Sequence, residues 1–402
     1  AARYASISNY YKKWIGENTG LRRLDALAKK QAFEDAFKAR ASLRKPEYVD
    51  VLANLNKLHS DLEKFAFARD LFVEMAYYGP QDIRYASEFR NLAMNHKALK
   101  KEGKLEEELK KLTSLTKSHF KNYHQPLEKE VFTALFEMYL EKIDPAFHPQ
   151  AAQQLQTKYS GDLQKMTDEV YAGSVLTSEE KALALLEDFD KKSIEKLMTD
   201  PVYQLADDFF SIYFTKVQPY YSSLSAEIEA GMGAYVKAQQ ELFPDQTYWP
   251  DANSTLRISY GQVRGSAPRD GMMYRHYTTM EGIMQKQEAS AQPSDEFYVP
   301  QKLTDLYKDK DFGPYAQDGE MWVCFTASNH TTGGNSGSPV INGNGQLIGI
   351  NFDRSWESTM SDIMYDADRC RNIIVDIRYV LFIIDKFAGA THLVEEMTLV
   401  KS

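Results

Sequence analysis

"TTGGNSGSPV", residues Thr331 to Val340, sets three glycines, two serines and a proline between two apolar, strand-like runs. Two structures fit so short a stretch. One is a glycine-rich hairpin in which Asn335 and Ser338 make the local hydrogen bonds of a turn. The other is the bed of an activated serine. A serine nucleophile needs a base, and the oxyanion it creates needs pre-aimed donors, commonly backbone N–H groups. Glycines ahead of Ser336 let the backbone turn so that amides near Gly334 and Ser336 point at one spot. Gly337 behind it leaves room for a carbonyl. A Gly-x-Ser-Gly pattern alone does not separate the two.

The flanking text bears on the choice. "MWVCFTAS" (Met321 to Ser328) and "GQLIGINFD" (Gly345 to Asp353) read as strands, and "NGNG" at Asn342 to Gly345 is a hairpin signal. "STLRISYGQV" (Ser254 to Val263) alternates apolar and polar residues as a half-buried strand does. "IIVDIRYVLFIIDKFAGA" reads as a strand running into a closing helix. The strand that returns after the serine turn ends at Asn351-Phe352-Asp353-Arg354, with Arg354 18 residues past Ser336. An Asp-Arg pair there is either a surface ion pair of small energetic value or a charged part of a pocket.

Upstream the text is helical. Only 8 of the 21 glycines fall in the first 245 residues, which marks a change of architecture near Phe243. Leu105, Leu109 and Leu112 repeat as one buried helical stripe. "TSEE" at Thr177 to Glu180 has the form of a capping box, and Asp200-Pro201 that of an N-cap followed by proline in the first turn. The expected fold is α+β, with a helical domain over residues 1–243 and a β-rich domain over 244–402. A chain of 402 residues with 43% apolar content suits two such cores. Its net charge of -9 argues against nucleic acid as the main partner. No apolar run reaches the length of a membrane span. Cys324 and Cys370 are either one bridge or two thiols. No Cys or His cluster offers a metal site, and no cofactor is expected.

"TTGGNSGSPV", "FDRSWES" (Phe352 to Ser358), "PDANSTLRISYG" (Pro250 to Gly261) and "VDIRYVLFIIDK" (Val375 to Lys386) together resemble the bacterial dipeptidyl-peptidase 7 and 11 family. These are chymotrypsin-fold serine peptidases with a large helical insertion. The resemblance covers essentially the whole chain, and implies that residues 244–402 are the C-terminal β-barrel part of a double-barrel peptidase. It implies that Ser336 is the nucleophile and that the amides of Gly334 and Ser336 form the oxyanion hole. Asp353 would hold the α-amine of the substrate, limiting the reaction to dipeptide release. The position after it separates the branches of the family: glycine accompanies hydrophobic preference and arginine acidic preference. Arg354 therefore implies Asp or Glu at the second residue, and a guanidinium suits a carboxylate physically. Asn9, in "ASISNYYKKWIG", is carried over as a second residue for the amine, its alternative being a helix N-cap.

The family's catalytic His and Asp lie in a first barrel upstream of the helical insertion. None of the eight histidines stands in such a setting, and His330 reads as a structural or pocket-rim residue. The chain is thus expected to be the C-terminal portion of a longer enzyme, nearly inactive alone. Its expected partners are peptides with a free N-terminus, the missing barrel and a second copy of the chain. The implied location is the periplasm or the cell surface. A hydrophobic-specific relative, and a non-catalytic helical scaffold with a vestigial protease half, are the competing readings.

Overall fold

The computed structural model describes residues 2–400 except 188, 249, 251–252, 288–292 and 294–296. Asp251 and Ala252 of the "PDANSTLRISYG" motif thus lie outside the described residues. The chain divides into two compact units, Ala1–Ala36 with Trp249–Ser402, and Phe37–Tyr248. The expected boundary at 243/244 falls close to the second break. The first 36 residues, however, group with the β-rich unit, not with the helical one.

In the helical unit, Leu112 is fully buried in the helix Leu105–Phe120, and Leu105 and Leu109 pack half-buried on the same core. That core is rich in aromatic residues, among them Phe72, Phe89, Phe132, Phe136 and Phe209. Asp200 caps the helix Pro201–Ile212 by accepting from the N–H groups of Val202 and Tyr203, as Asp-Pro predicts. The capping box does not form as expected. Thr177 is buried and donates its hydroxyl back to the Tyr171 carbonyl, so Ser178 takes the N-cap place and accepts from Lys181 N–H.

The other unit opens with α1 (Ala2–Arg23). Two glycines on α1 set its packing. A Cβ on Gly16 would lie 2.1 Å from the Trp356 carbonyl oxygen, and one on Gly20 would lie 2.6 Å from Met360 Cγ. Glycine at both positions is what lets the helix backbone lie against the 3₁₀ segment Trp356–Asp362. Thr359 Oγ1 reinforces that contact by donating to the Lys13 carbonyl at 2.9 Å. Asn9 lies inside α1 and is exposed, so the N-cap alternative is excluded.

The strands are β1 (Ser266–Arg269), β2 (Met272–Tyr274), β3 (Tyr277–Thr279), β4 (Trp322–Ala327), β5 (Pro339–Ile341), β6 (Leu347–Arg354) and β7 (Asn372–Asp376). β1 and β2 form a hairpin, and the rest form an antiparallel sheet in the order β3-β4-β7-β6-β5. β4, β6 and the "NGNG" turn between β5 and β6 stand where the alternation and the turn signal put them. β7 runs into the helix Ile377–Phe382, as the tail pattern predicts. Ile374 and Phe325 are buried between the sheet and its covering side chains, and Phe382 fills a second core with Met280 and Phe312.

Two features differ from the simple pattern read in the sequence. The five-stranded sheet is open among the described residues, with β3 and β5 at its edges and no closed barrel. "STLRISYGQV" is extended but makes no ladder beyond a single Val263–Ala327 bridge. Its Leu256, Ile258 and Tyr260 are 93%, 83% and 90% exposed, so the alternation has no buried face. The segment is held instead by irregular bonds, from Ser259 Oγ to the His330 carbonyl and from Asn329 Nδ2 to the Ser259 carbonyl.

Candidate active site

Ser336 stands on a turn whose backbone needs two of its glycines. Gly334 has φ +99° and Gly337 φ +84°, both in the left-handed region. Asn335 folds the turn, its Oδ1 accepting from Thr332 N–H at 2.9 Å. Asn351 on β6 holds it from beneath. Its N–H donates to the Ser338 carbonyl, its carbonyl accepts from Gly337 N–H, and its Nδ2 donates to the Asn335 carbonyl. Asn351 is in turn fixed by Asn372 Nδ2 on β7, at 2.9 Å. Both the hairpin and the serine-bed readings expected a turn here. Among the described residues, the N–H groups of Gly334 and Ser336 take no protein acceptor.

A β-bulge aims the neighbouring charges. In the β6–β7 pairing Asn351 faces Ile374 and Asp353 faces Ile373, so Phe352 is an extra residue on β6. Such a bulge bends its strand and redirects the side chains that follow. The Phe352 carbonyl accepts the Ser336 hydroxyl at 3.3 Å, so the bulge sits beside the serine. Asp353 and Arg354 follow directly. With Asn9 and Lys13 of α1, they line one pocket of about 640 Å³. Tyr274, Tyr277, Trp356 and Ile373 supply its apolar walls, and Glu357 accepts from Tyr274 Oη at 3.2 Å. The structure therefore brings Asn9, Asp353 and Arg354 together, with Ser336 next to them across the bulge.

Arg354 is already engaged. Its Nη1 and Nη2 donate to the two carboxylate oxygens of Asp362, each at 2.6 Å, and Nη1 also reaches Ser361 Oγ at 3.0 Å. Thr332 Oγ1 donates to Asp362 at 2.6 Å, and Lys13 Nζ stands 4.0 Å from it. The hydrogen bonds from Arg354 hold the Asp362 carboxyl down at about 2, helped by Thr332 and opposed by burial. Asp362 in turn raises the pKa of Arg354. The sequence reading missed Asp362, Thr332 and Asn351. Asn351 was visible as a polar residue on an apolar strand, whereas no spacing pattern links Asp362 to Arg354.

His330 is bound, its Nε2 lying 2.9 Å from the Ser361 carbonyl, and its ring packs tilted against Tyr365. This agrees with a structural place for it. Among the described residues no histidine hydrogen-bonds Ser336 Oγ, and no group of His, Cys, Asp and Glu has the arrangement of a metal site. Cys324 and Cys370 are free thiols, which excludes the bridge. Cys324 lines the pocket, and burial pushes its thiol pKa up, away from the reactive thiolate. No described helix is long and apolar enough to cross a membrane.

A serine on a glycine-built turn, beside a pocket lined by the anionic Asp353 and the cationic Arg354, defines a candidate hydrolase of the serine type. The chain belongs to the peptidase S46 family, whose family model matches residues 1–399. It is 38% identical over 403 residues to an Asp/Glu-specific dipeptidyl-peptidase of Flavobacterium psychrophilum, covering all of this chain and 55% of that protein. It is 34% identical over 407 residues to dipeptidyl-peptidase 7 of Porphyromonas gingivalis, again covering all of this chain and 55% of the relative. The crystal structure of Porphyromonas endodontalis DPP11 in complex with substrate superposes with a TM-score of 0.79 at 31% identity. That match covers 98% of this chain and 56% of the solved one. The chain thus spans a little over half the length of these relatives.

Proposed function

We propose that this chain is the helical and C-terminal catalytic part of a serine exopeptidase. The enzyme releases dipeptides from free peptide N-termini and prefers Asp or Glu at the second residue. The observation that carries the reading is the single pocket that holds Asn9, Asp353 and Arg354 beside Ser336. In it Ser336 attacks the second peptide carbonyl, and the N–H groups of Gly334 and Ser336 receive the oxyanion. Asp353, with Asn9, takes the α-ammonium group, which counts two residues back from the cut. Arg354 takes the acidic side chain by charged hydrogen bonds. The general base and its orienting acid come from an upstream β-barrel, and the open five-stranded sheet is the C-terminal part of a chymotrypsin-type pair. The helical unit is the inserted substrate-capping domain. The intact enzyme pairs as a homodimer and works in the periplasm or at the cell surface.

The relatives named for acidic specificity support the choice of branch, as does an arginine, not a glycine, at position 354. The hydrophobic specificity that the family resemblance implies for glycine at this position is the rival reading. Fluorogenic dipeptides ending in Glu and in Leu separate the two. Preferred release of the Glu-ending dipeptide, lost on Ser336→Ala, is the expected result, and preferred release of the Leu-ending one contradicts it. A non-catalytic scaffold predicts that Ser336 stays unlabelled by a fluorophosphonate probe even when the upstream barrel is supplied.

A further inference from the structure

We infer that Asp362 is a positioning residue for acidic specificity, gripping one edge of Arg354 so that the other edge faces the substrate carboxylate. This inference rests on the function proposed above. A guanidinium offers two edges to a carboxylate, one formed by its two Nη atoms and one by Nε with Nη2. Asp362 occupies the first edge with two bonds of 2.6 Å, and Ser361 Oγ and the Thr331 carbonyl take further bonds from Nη1. Among the described residues, Arg354 Nε–H and the second Nη2–H have no protein acceptor, and Arg354 lines the pocket. Arg354 therefore keeps two donors on that edge for a second carboxylate.

Asp362 is fixed independently of the arginine. It ends the 3₁₀ segment Trp356–Asp362, in which Ser358, Thr359, Met360 and Ser361 are all buried. Thr332 Oγ1 donates to the same carboxylate from the serine turn. The Thr332 N–H is bound by Asn335 Oδ1, and Asn335 immediately precedes Ser336. His330 adds a parallel tie to Ser361. The residue that reads the substrate side chain and the turn that carries the nucleophile are thereby joined through one carboxylate. Lys13, 4.0 Å from Asp362, leaves the Arg354–Asp362–Lys13 group with a net charge of +1, so the ion pair with Asp362 does not cancel the positive charge that Arg354 offers to an acid.

The alternative is that Asp362 competes with the substrate by occupying its place on Arg354, and the two predict opposite signs. The test uses the enzyme with its upstream barrel and compares kcat/KM for Glu-ending and Leu-ending fluorogenic dipeptides in Asp362→Ala, Asp362→Asn and Asp362→Glu. Positioning predicts that the Glu-over-Leu ratio falls about tenfold in Asp362→Ala and Asp362→Asn, mainly through KM for the Glu substrate. Asp362→Glu, which keeps the carboxylate, restores part of the ratio. Equal losses on both substrates overturn the inference as a general folding effect. A lower KM for the Glu substrate overturns it in favour of competition. An unaltered enzyme with no preference for Glu overturns the assignment of Arg354 itself, and this inference with it.

Discussion

Arg354 and Asp362 are charged neighbours whose titration makes a pH claim possible. The Asp362 carboxyl is held at about 2, so its contribution to stability is fully present above the ordinary carboxylate range. That contribution shrinks as the pH falls below about 4 and is gone once the pH has fallen through the folded value near 2. The substrate carboxyl titrates earlier, at about 4.3. The ratio of kcat/KM for Glu-ending over Gln-ending dipeptides should therefore be flat between about pH 5 and 8, and should fall below about pH 4.5. Taking the ratio cancels the titration of the catalytic base. A fall centred between about pH 6 and 7 would assign the selectivity to another group, such as a histidine. At the amine end, Asp353→Ala should raise KM by about tenfold or more, the scale of one charged hydrogen bond, for every dipeptide irrespective of its second residue.

At the scale of elements, the site depends on α1 lying close against Trp356–Asp362. Gly16→Ala places a Cβ 2.1 Å from the Trp356 carbonyl oxygen, so the helix or the 3₁₀ segment must shift. The expected cost is about 1–3 kcal/mol, read as a lower melting temperature. KM should rise, because Asn9 and Lys13 ride on the same helix. An unchanged KM would detach α1 from substrate binding. Much of this level was readable in advance. β4, β6, β7 and the turn at Asn342 to Gly345 follow from local alternation and glycine chemistry. The bulge at Phe352 was not readable, because it depends on the register against β7. "STLRISYGQV" carried a strand pattern without a ladder, since alternation reports a tendency and pairing needs a neighbouring strand. The Asp362 contact escaped for the same reason as the bulge: only the packed fold brings the 3₁₀ segment back to Arg354.

At the scale of the whole molecule, two compact units are present, and the boundary read from glycine usage lies near one of their breaks. The grouping of residues 1–36 with the β-rich unit was hidden, because a helix looks alike in sequence whichever core it joins. Ser336 has a turn, donors and a pocket, but no histidine bound to its hydroxyl among the described residues. The 402-residue chain alone should therefore hydrolyse Glu-ending dipeptides slower by a factor of about 10⁴ or more than an enzyme completed by the proposed upstream barrel, as loss of a triad base predicts. Equal rates would mean that the base lies within these residues. The most direct test of the central claim is the kcat/KM of the completed enzyme, with and without Arg354→Gly, on Glu-ending and Leu-ending dipeptides. The account predicts that the substitution lowers the Glu rate by about 10- to 100-fold and reverses the preference toward Leu. A preference for Glu that survives the loss of Arg354 would contradict it.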